Sequence, residues 1–124
     1  MFEPLLQAEP SFRAQWERFR QEWSGEESPP LYLALSQLAE HLIARLSAGD
    51  TGRFDGVFDV VERWIVEGDN HVREAAVVGL LEDLQNSNLH RATRPEDFLP
   101  WLRPQSAIWW AKVDTFWAEG RPLA

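Results

Sequence analysis

Asp55, Asp59 and Glu62 recur at i, i+4 and i+7, and a second pair of acids, Glu82 and Asp83, closes an apolar run further on. On a helix the first spacing sets all three carboxylates along one face. Acids gathered in this way can ligate a metal, divide acid and base roles, or offer negative charge to a cationic partner. Each use requires different companions, so the remaining residues decide which chemistry is open.

Dinuclear carboxylate bundles need Glu-x-x-His pairs on facing helices. None of His41, His71 and His90 has a glutamate three residues before it, and His71-x-x-Glu74 runs in the reverse order at a helix start. There is no HExxH, no phosphate-binding glycine loop and no GxSxG elbow. The chain has no cysteine, which excludes thiolate nucleophiles, disulfides and zinc–thiolate sites. The serines are expected in caps, loops or helix faces without a nearby histidine–acid pairing. The chain is therefore expected to be non-enzymatic, with no cofactor and no bound metal.

The elements that must position these acids follow from hydrophobic spacing. After a short apolar turn, "FEPLL", Ser11 is placed to cap a helix to about Trp23, with Phe12, Trp16, Phe19 and Trp23 as an aromatic stripe facing the core. The polar loop "SGEESPP" ends it. Leu31, Leu35, Leu38, Leu42 and Leu46 mark a second helix that stops near Gly49, and a third is expected from about Arg53 to Glu67. The run "GDNHVREAAVVGLLEDLQN" predicts a fourth, near 70–86. Thr93 and Glu96 have the spacing of a capping box for a short helix to about Leu102. Pro104 breaks it, and a final helix with Trp109, Trp110, Val113, Phe116 and Trp117 runs towards Gly120. No segment alternates with period two, so the predicted fold is all-α: one domain over 1–124, of six to seven helices.

The fourth helix is the unusual one. On a wheel of about 100° per residue its charges, Arg73, Glu74, Glu82 and Asp83, point in four directions, and nothing polar lies between Ala75 and Leu81. A helix apolar all round its middle belongs at the centre of a bundle. Ala75, Ala76 and Gly79 would let its neighbours approach closely. Acids in its last turn oppose the helix dipole, at a cost of about 0.3–1 kcal/mol. The short "GDN" connector predicts antiparallel pairing with the third helix, which would bring Asp55 and Asp59 level with Glu82 and Asp83. Arg53 is the nearest arginine in sequence. Such a cluster reads as a solvated acidic surface, as a docking patch for a cationic partner, or as a carboxylate metal or acid–base site.

Net charge is −8, and residues 55 to 83 carry eight acids against Arg63 and Arg73, a net of −6. This balance disfavours nucleic acids and anionic membranes and suits a basic protein. The only basic candidates, "HRATR" with Arg103 and Arg121, are too sparse for a nucleic-acid surface. The first residues lack the pattern of a secretion signal and no stretch is long enough for a membrane span, so a cytoplasmic protein is expected, as a monomer or weak dimer.

Two stretches carry a resemblance. "GDNHVREAAVVGLLEDLQN" resembles the second helix of a HEAT-like pair. With "FLPWLRPQSAIWWAKVDTFW" it is similar to a family of small bacterial helical proteins. In that family a G-D-x-x-V turn precedes an apolar helix ending in L-E-x-L, and an L-x-P-x-S-x-x-W-W run lies near the C-terminus. Here these are Gly68, Asp69, Val72, Leu81, Glu82 and Leu84, then Leu102, Pro104, Ser106, Trp109 and Trp110. Only one HEAT-like pair is evident, which argues against an extended solenoid. Many members look like immunity proteins for bacterial toxins, so the resemblance implies a stoichiometric inhibitor of a cognate toxin. Asp55, Asp59, Glu62, Glu82 and Asp83 would form the docking patch, with Asn86 and Asn88 beside it, facing a basic active-site region of the toxin. The other reading is a general helical interaction or adaptor module with a different partner.

Overall fold

The inward positions expected for the third helix are all buried: Phe54, Val57, Phe58, Val61, Trp64 and Ile65. They lie on α4 (Phe54–Glu67), in a computed structural model that describes residues 2–25 and 30–119. The expected loop over 24–30 lies partly outside the described residues, and the expected stop at Gly120 and the basic candidate Arg121 wholly so. Among the described residues every regular element is helical: α1 (Phe2–Ala8), α2 (Arg13–Glu22), α3 (Leu31–Ser47), α4, α5 (Asn70–Glu74), α6 (Glu82–Leu84) and α7 (Pro104–Glu119), with short 3₁₀ turns between them. None is long and apolar enough to cross a membrane.

Residues 70 to 84 form one continuous helical run, whose middle, Ala75–Leu81, is π-helical. The Glu82 N–H donates to the Val77 carbonyl, five residues back. Ala75, Ala76, Val77, Gly79, Leu80 and Leu81 are all buried, as the absence of a polar face requires. α3 lies along this stretch, with α7 and α4 also against it. A Cβ on Gly79 would stand 3.3 Å from Tyr32 Cδ1 and 3.4 Å from Leu35, so the glycine sets how closely α3 can approach.

Helix ends follow local chemistry. Gly49, at φ +78°, terminates α3: Asp50 N–H donates to Arg45 O and Gly49 N–H to Leu46 O, the paired bonds of a Schellman motif. The Asp69 carboxylate caps α5 by accepting from Val72 N–H at 2.9 Å. Arg73 Nε donates to Ile65 O at 2.8 Å, which ties α5 back to the end of α4. Gly68 turns the chain between them in close quarters, where a Cβ would lie 2.4 Å from Trp64 O and 2.7 Å from Val72 Cγ1.

Three local expectations are corrected. "FEPLL" is part of helix α1, because Phe2, Leu5 and Leu6 at helical spacing are buried and α1 packs on α4. Ser11 does not cap α2. It sits in the 3₁₀ turn Pro10–Phe12 and donates its hydroxyl to Glu9. The helix expected after Thr93 is a 3₁₀ turn, Pro95–Trp101, anchored by the Asp97 carboxylate on Arg94 N–H at 2.9 Å. Thr93 pairs instead with His90 Nδ1 at 2.8 Å, and His90 Nε2 donates to the Leu84 carbonyl that ends the central run.

Gly68→Ala should cost about 1–3 kcal/mol in urea unfolding, because its methyl group must displace backbone or a β-branched side chain. Gly52→Ala, where nothing lies within 4 Å of the new methyl, should stay within about 0.5 kcal/mol of the parent. Equal effects of the two substitutions would contradict the crowding at Gly68.

Candidate functional site

The acidic stripe on α4 is spoken for within the chain. Arg103 Nε donates to Asp59 Oδ1 at 2.8 Å, and Arg103 Nη2 reaches both Asp55 Oδ1 at 3.3 Å and the Asp55 carbonyl at 3.1 Å. Glu62 spans the start of α7: Oε2 accepts from Gln105 N–H and Oε1 from Ser106 N–H, both at 2.8 Å. These are N–H groups of a first helical turn, which has no earlier carbonyl to bond. A carboxylate there also meets the positive end of the helix dipole. Ser106 Oγ completes the cap by accepting from Arg103 N–H at 2.8 Å. The spacing that looked costly in isolation is thus the socket for α7.

Asp83 takes a different partner. Ser36 Oγ on α3 donates to Asp83 Oδ2. Burial, and after it the charge of Asp83, raises the Glu82 carboxyl above the ordinary carboxylate value. The acids expected at a shared tip are engaged on different neighbours: Asp55 and Asp59 with Arg103 and Glu62 with the first turn of α7, Asp83 with α3. The arginine that matches Asp55 and Asp59 is Arg103, not Arg53. Among the described residues, no group of three or more histidines, aspartates or glutamates is arranged to hold a metal ion.

The structure gathers one set of reactive groups that sequence distance concealed. Ser11 Oγ donates to Glu9 Oε1 at 2.6 Å and lies 2.8 Å from His41 Nε2, with Arg45 Nε 3.4 Å from Glu9. The expectation that no serine lies near a histidine–acid pair is corrected on this point. The wiring, however, opposes nucleophilic activation. The serine proton is committed to Glu9, so His41 must donate to Ser11 Oγ rather than accept from it. In a hydrolytic triad the acid orients the histidine and the histidine takes the serine proton. Burial, the leading cause, and Arg45 lower the His41 pKa, while Glu9 acts against them.

Asn86 and Asn88 lie where the sequence reading put polar contacts, but in other company. Asn86 Oδ1 accepts from Asn88 N–H at 3.0 Å and shapes a turn after the central run. Two adjoining cavities of about 330 and 360 Å³ open between this turn, the 95–101 segment and α7, and share Gln85, Pro95, Glu96 and Asp114. Asn86, Asn88 and Trp117 wall one of them, Leu99, Leu102 and Trp110 the other. The Glu96 and Asp114 side chains are exposed and make no hydrogen bond or ion pair with any described residue. Among the tryptophans, Trp64 is buried, Trp23 and Trp101 are half-buried, and Trp117 is 49% exposed beside this groove. Sequence reasoning missed Glu96 and Asp114, having given Glu96 to a capping box.

Glu62→Ala should cost about 0.5–2 kcal/mol in thermal or urea unfolding, the range for a lost N-cap. The raised Glu82 pKa gives a second test. A carboxyl whose pKa is higher in the folded state favours folding below the ordinary carboxylate range, and that contribution is lost as pH rises through the raised value. Glu82→Gln should therefore gain about 0.3–1 kcal/mol over the parent at neutral pH, the scale of an acid at a helix C-terminus. The gain should fade below about pH 4. Melting curves at both pH values check this, and a difference that does not change with pH would refute it.

Neither a curated protein nor a solved structure matches the chain significantly. A family described as a domain of unknown function, DUF7674, matches residues 2–118, and the chain belongs to that family.

Proposed function

We propose that this chain is a non-enzymatic, immunity-type binding protein that neutralises a cognate bacterial toxin by direct, stoichiometric contact in the cytoplasm. The observation that carries the binding role is the groove beside α7. Among the described residues its lining includes two exposed carboxylates, Glu96 and Asp114, and no lysine, arginine or histidine. Exposed Leu99 and Trp117 flank them. Large, rigid aromatic side chains next to polar rims are where binding energy concentrates in protein interfaces. An acidic rim draws a basic partner and discriminates against acidic ones.

The toxin as partner comes from the likeness of the "GDNHV" and "LRPQSAIWW" runs to small immunity-type proteins; its basic character comes from the charge. Asp55 and Asp59 add to the field, since two exposed carboxylates share one guanidinium. Glu62, engaged at the start of α7, is assigned to the scaffold. Asn86 and Asn88 are assigned to the contact surface. The commitment of the Ser11 proton to Glu9 supports the non-enzymatic part of the proposal.

Co-expression with the product of the neighbouring gene tests this reading. The two chains should co-purify in fixed ratio, growth arrest by that product should be relieved, and affinity should fall as salt rises. A complex that gives no protection would make the chain an adaptor module. The absence of any complex would overturn the binding role.

A further inference from the structure

α7 buries one side, Ser106, Trp110 and Val113, and turns the opposite side outward. At helical spacing that outer strip reads Pro104, Ala107, Ile108, Ala111, Thr115 and Ala118, all of them exposed and none charged. Its one side-chain hydroxyl is occupied, because Thr115 Oγ1 donates to the Ala111 carbonyl at 3.1 Å. Lys112 and Asp114 lie to either side. The Lys112 ammonium rests over the Trp109 ring, 4.3 Å from its centroid, and Asp114 belongs to the groove lining. Leu99 widens the strip, since it walls one cavity together with Ala107 and Ala111. Leu99 and Ile108 are large apolar side chains left half open to solvent. Contiguous apolar surface of this kind marks a place of contact.

We infer that this strip is the contact face of a homodimer, in which two copies of α7 pack antiparallel about a two-fold axis. Charge selects the occupant. Residues 1–89 hold sixteen acids against seven arginines, whereas residues 90–124 hold four acids against five bases. Two copies therefore repel one another over most of their surface. The outer side of α7, turned away from α4, is where they can meet with least repulsion. A basic partner gains nothing from a strip without charge. What fits it is a second uncharged apolar strip, and the chain itself carries one. A two-fold axis makes the contact self-complementary. The alanines let the two helix axes come close, and Ile108 of each copy packs over the small residues of the other. Sixteen residues of helix extend about 24 Å, so with Leu99 each copy buries roughly 500 Å², the low end of specific interfaces. The dimer is accordingly weak, with a Kd on the order of 10–100 µM. This inference does not depend on the partner proposed above.

Sedimentation equilibrium of the full chain up to about ten times that Kd tests it, at roughly 0.05 and 0.5 M salt. A reversible monomer–dimer equilibrium is expected, tighter at the higher salt because salt screens the repulsion between two acidic bodies. Ile108→Glu changes an exposed position, so it should keep the parent's melting curve and dimerise at least tenfold more weakly. Val66→Glu, at an exposed apolar position on α4, should dimerise as the parent does. The chain has no cysteine, so single-cysteine variants report the contact independently. On mild oxidation Ala111→Cys should form a disulfide-linked dimer at least tenfold faster than Val66→Cys, since the bond requires Cα atoms about 4.4–6.8 Å apart. A parent that stays monomeric at both salts, association that weakens as salt rises, or equal cross-linking of the two cysteine variants would overturn the dimer face. So would equal effects of Ile108→Glu and Val66→Glu.

Discussion

Ala75–Leu81 offers solvent no polar side chain, so each neighbour is obliged to cover it. α3 meets it across Gly79, where even a methyl group would press on Tyr32 and Leu35, and α7 and α4 pack against it too. The segment also abandons the α-helical bond pattern for the wider π form, in which each residue turns the chain by less. That change carries beyond the segment. Every side chain after Leu81 is rotated from the direction a regular helix would give it. Gln85, in this rotated frame, reaches the Trp110 carbonyl on α7.

A second dependence runs from α4 to α7. Three acids along one face of a helix repel one another when the helix is alone. In the fold they meet one guanidinium and the partially positive ends of two backbone N–H dipoles at the mouth of α7. The first turn of α7 holds no acid of its own. The charges are complementary across elements, and neither side makes sense separately.

Much of this was legible in the sequence. The periodic leucines of α3, the inward face of α4, the stop at Gly49 and the burial of the 75–81 run all follow from spacing and local chemistry. Rotational direction was not legible beyond the π-helical stretch, since a wheel at constant pitch misplaces Glu82 and Asp83. Partners far apart in the chain were equally hidden: Asp59 lies 44 residues from Arg103, and Ser11 lies 30 from His41. One clue was present. A helix that begins Pro104-Gln105-Ser106, without an acid in its first turn, needs an acceptor from elsewhere, and the stripe at 55, 59 and 62 was the unclaimed supply.

The borrowed cap has a bearing on the order in which the chain takes shape. Because Glu62 supplies what the first turn of α7 lacks, that helix has little reason to persist before α4 is in place, and isolated helices of this length are marginal in water. During synthesis α4 leaves the ribosome first and waits for its counterpart. The groove has α7 as one of its walls, so it comes into being only when the last helix docks, and a half-made chain has nowhere for a partner to settle.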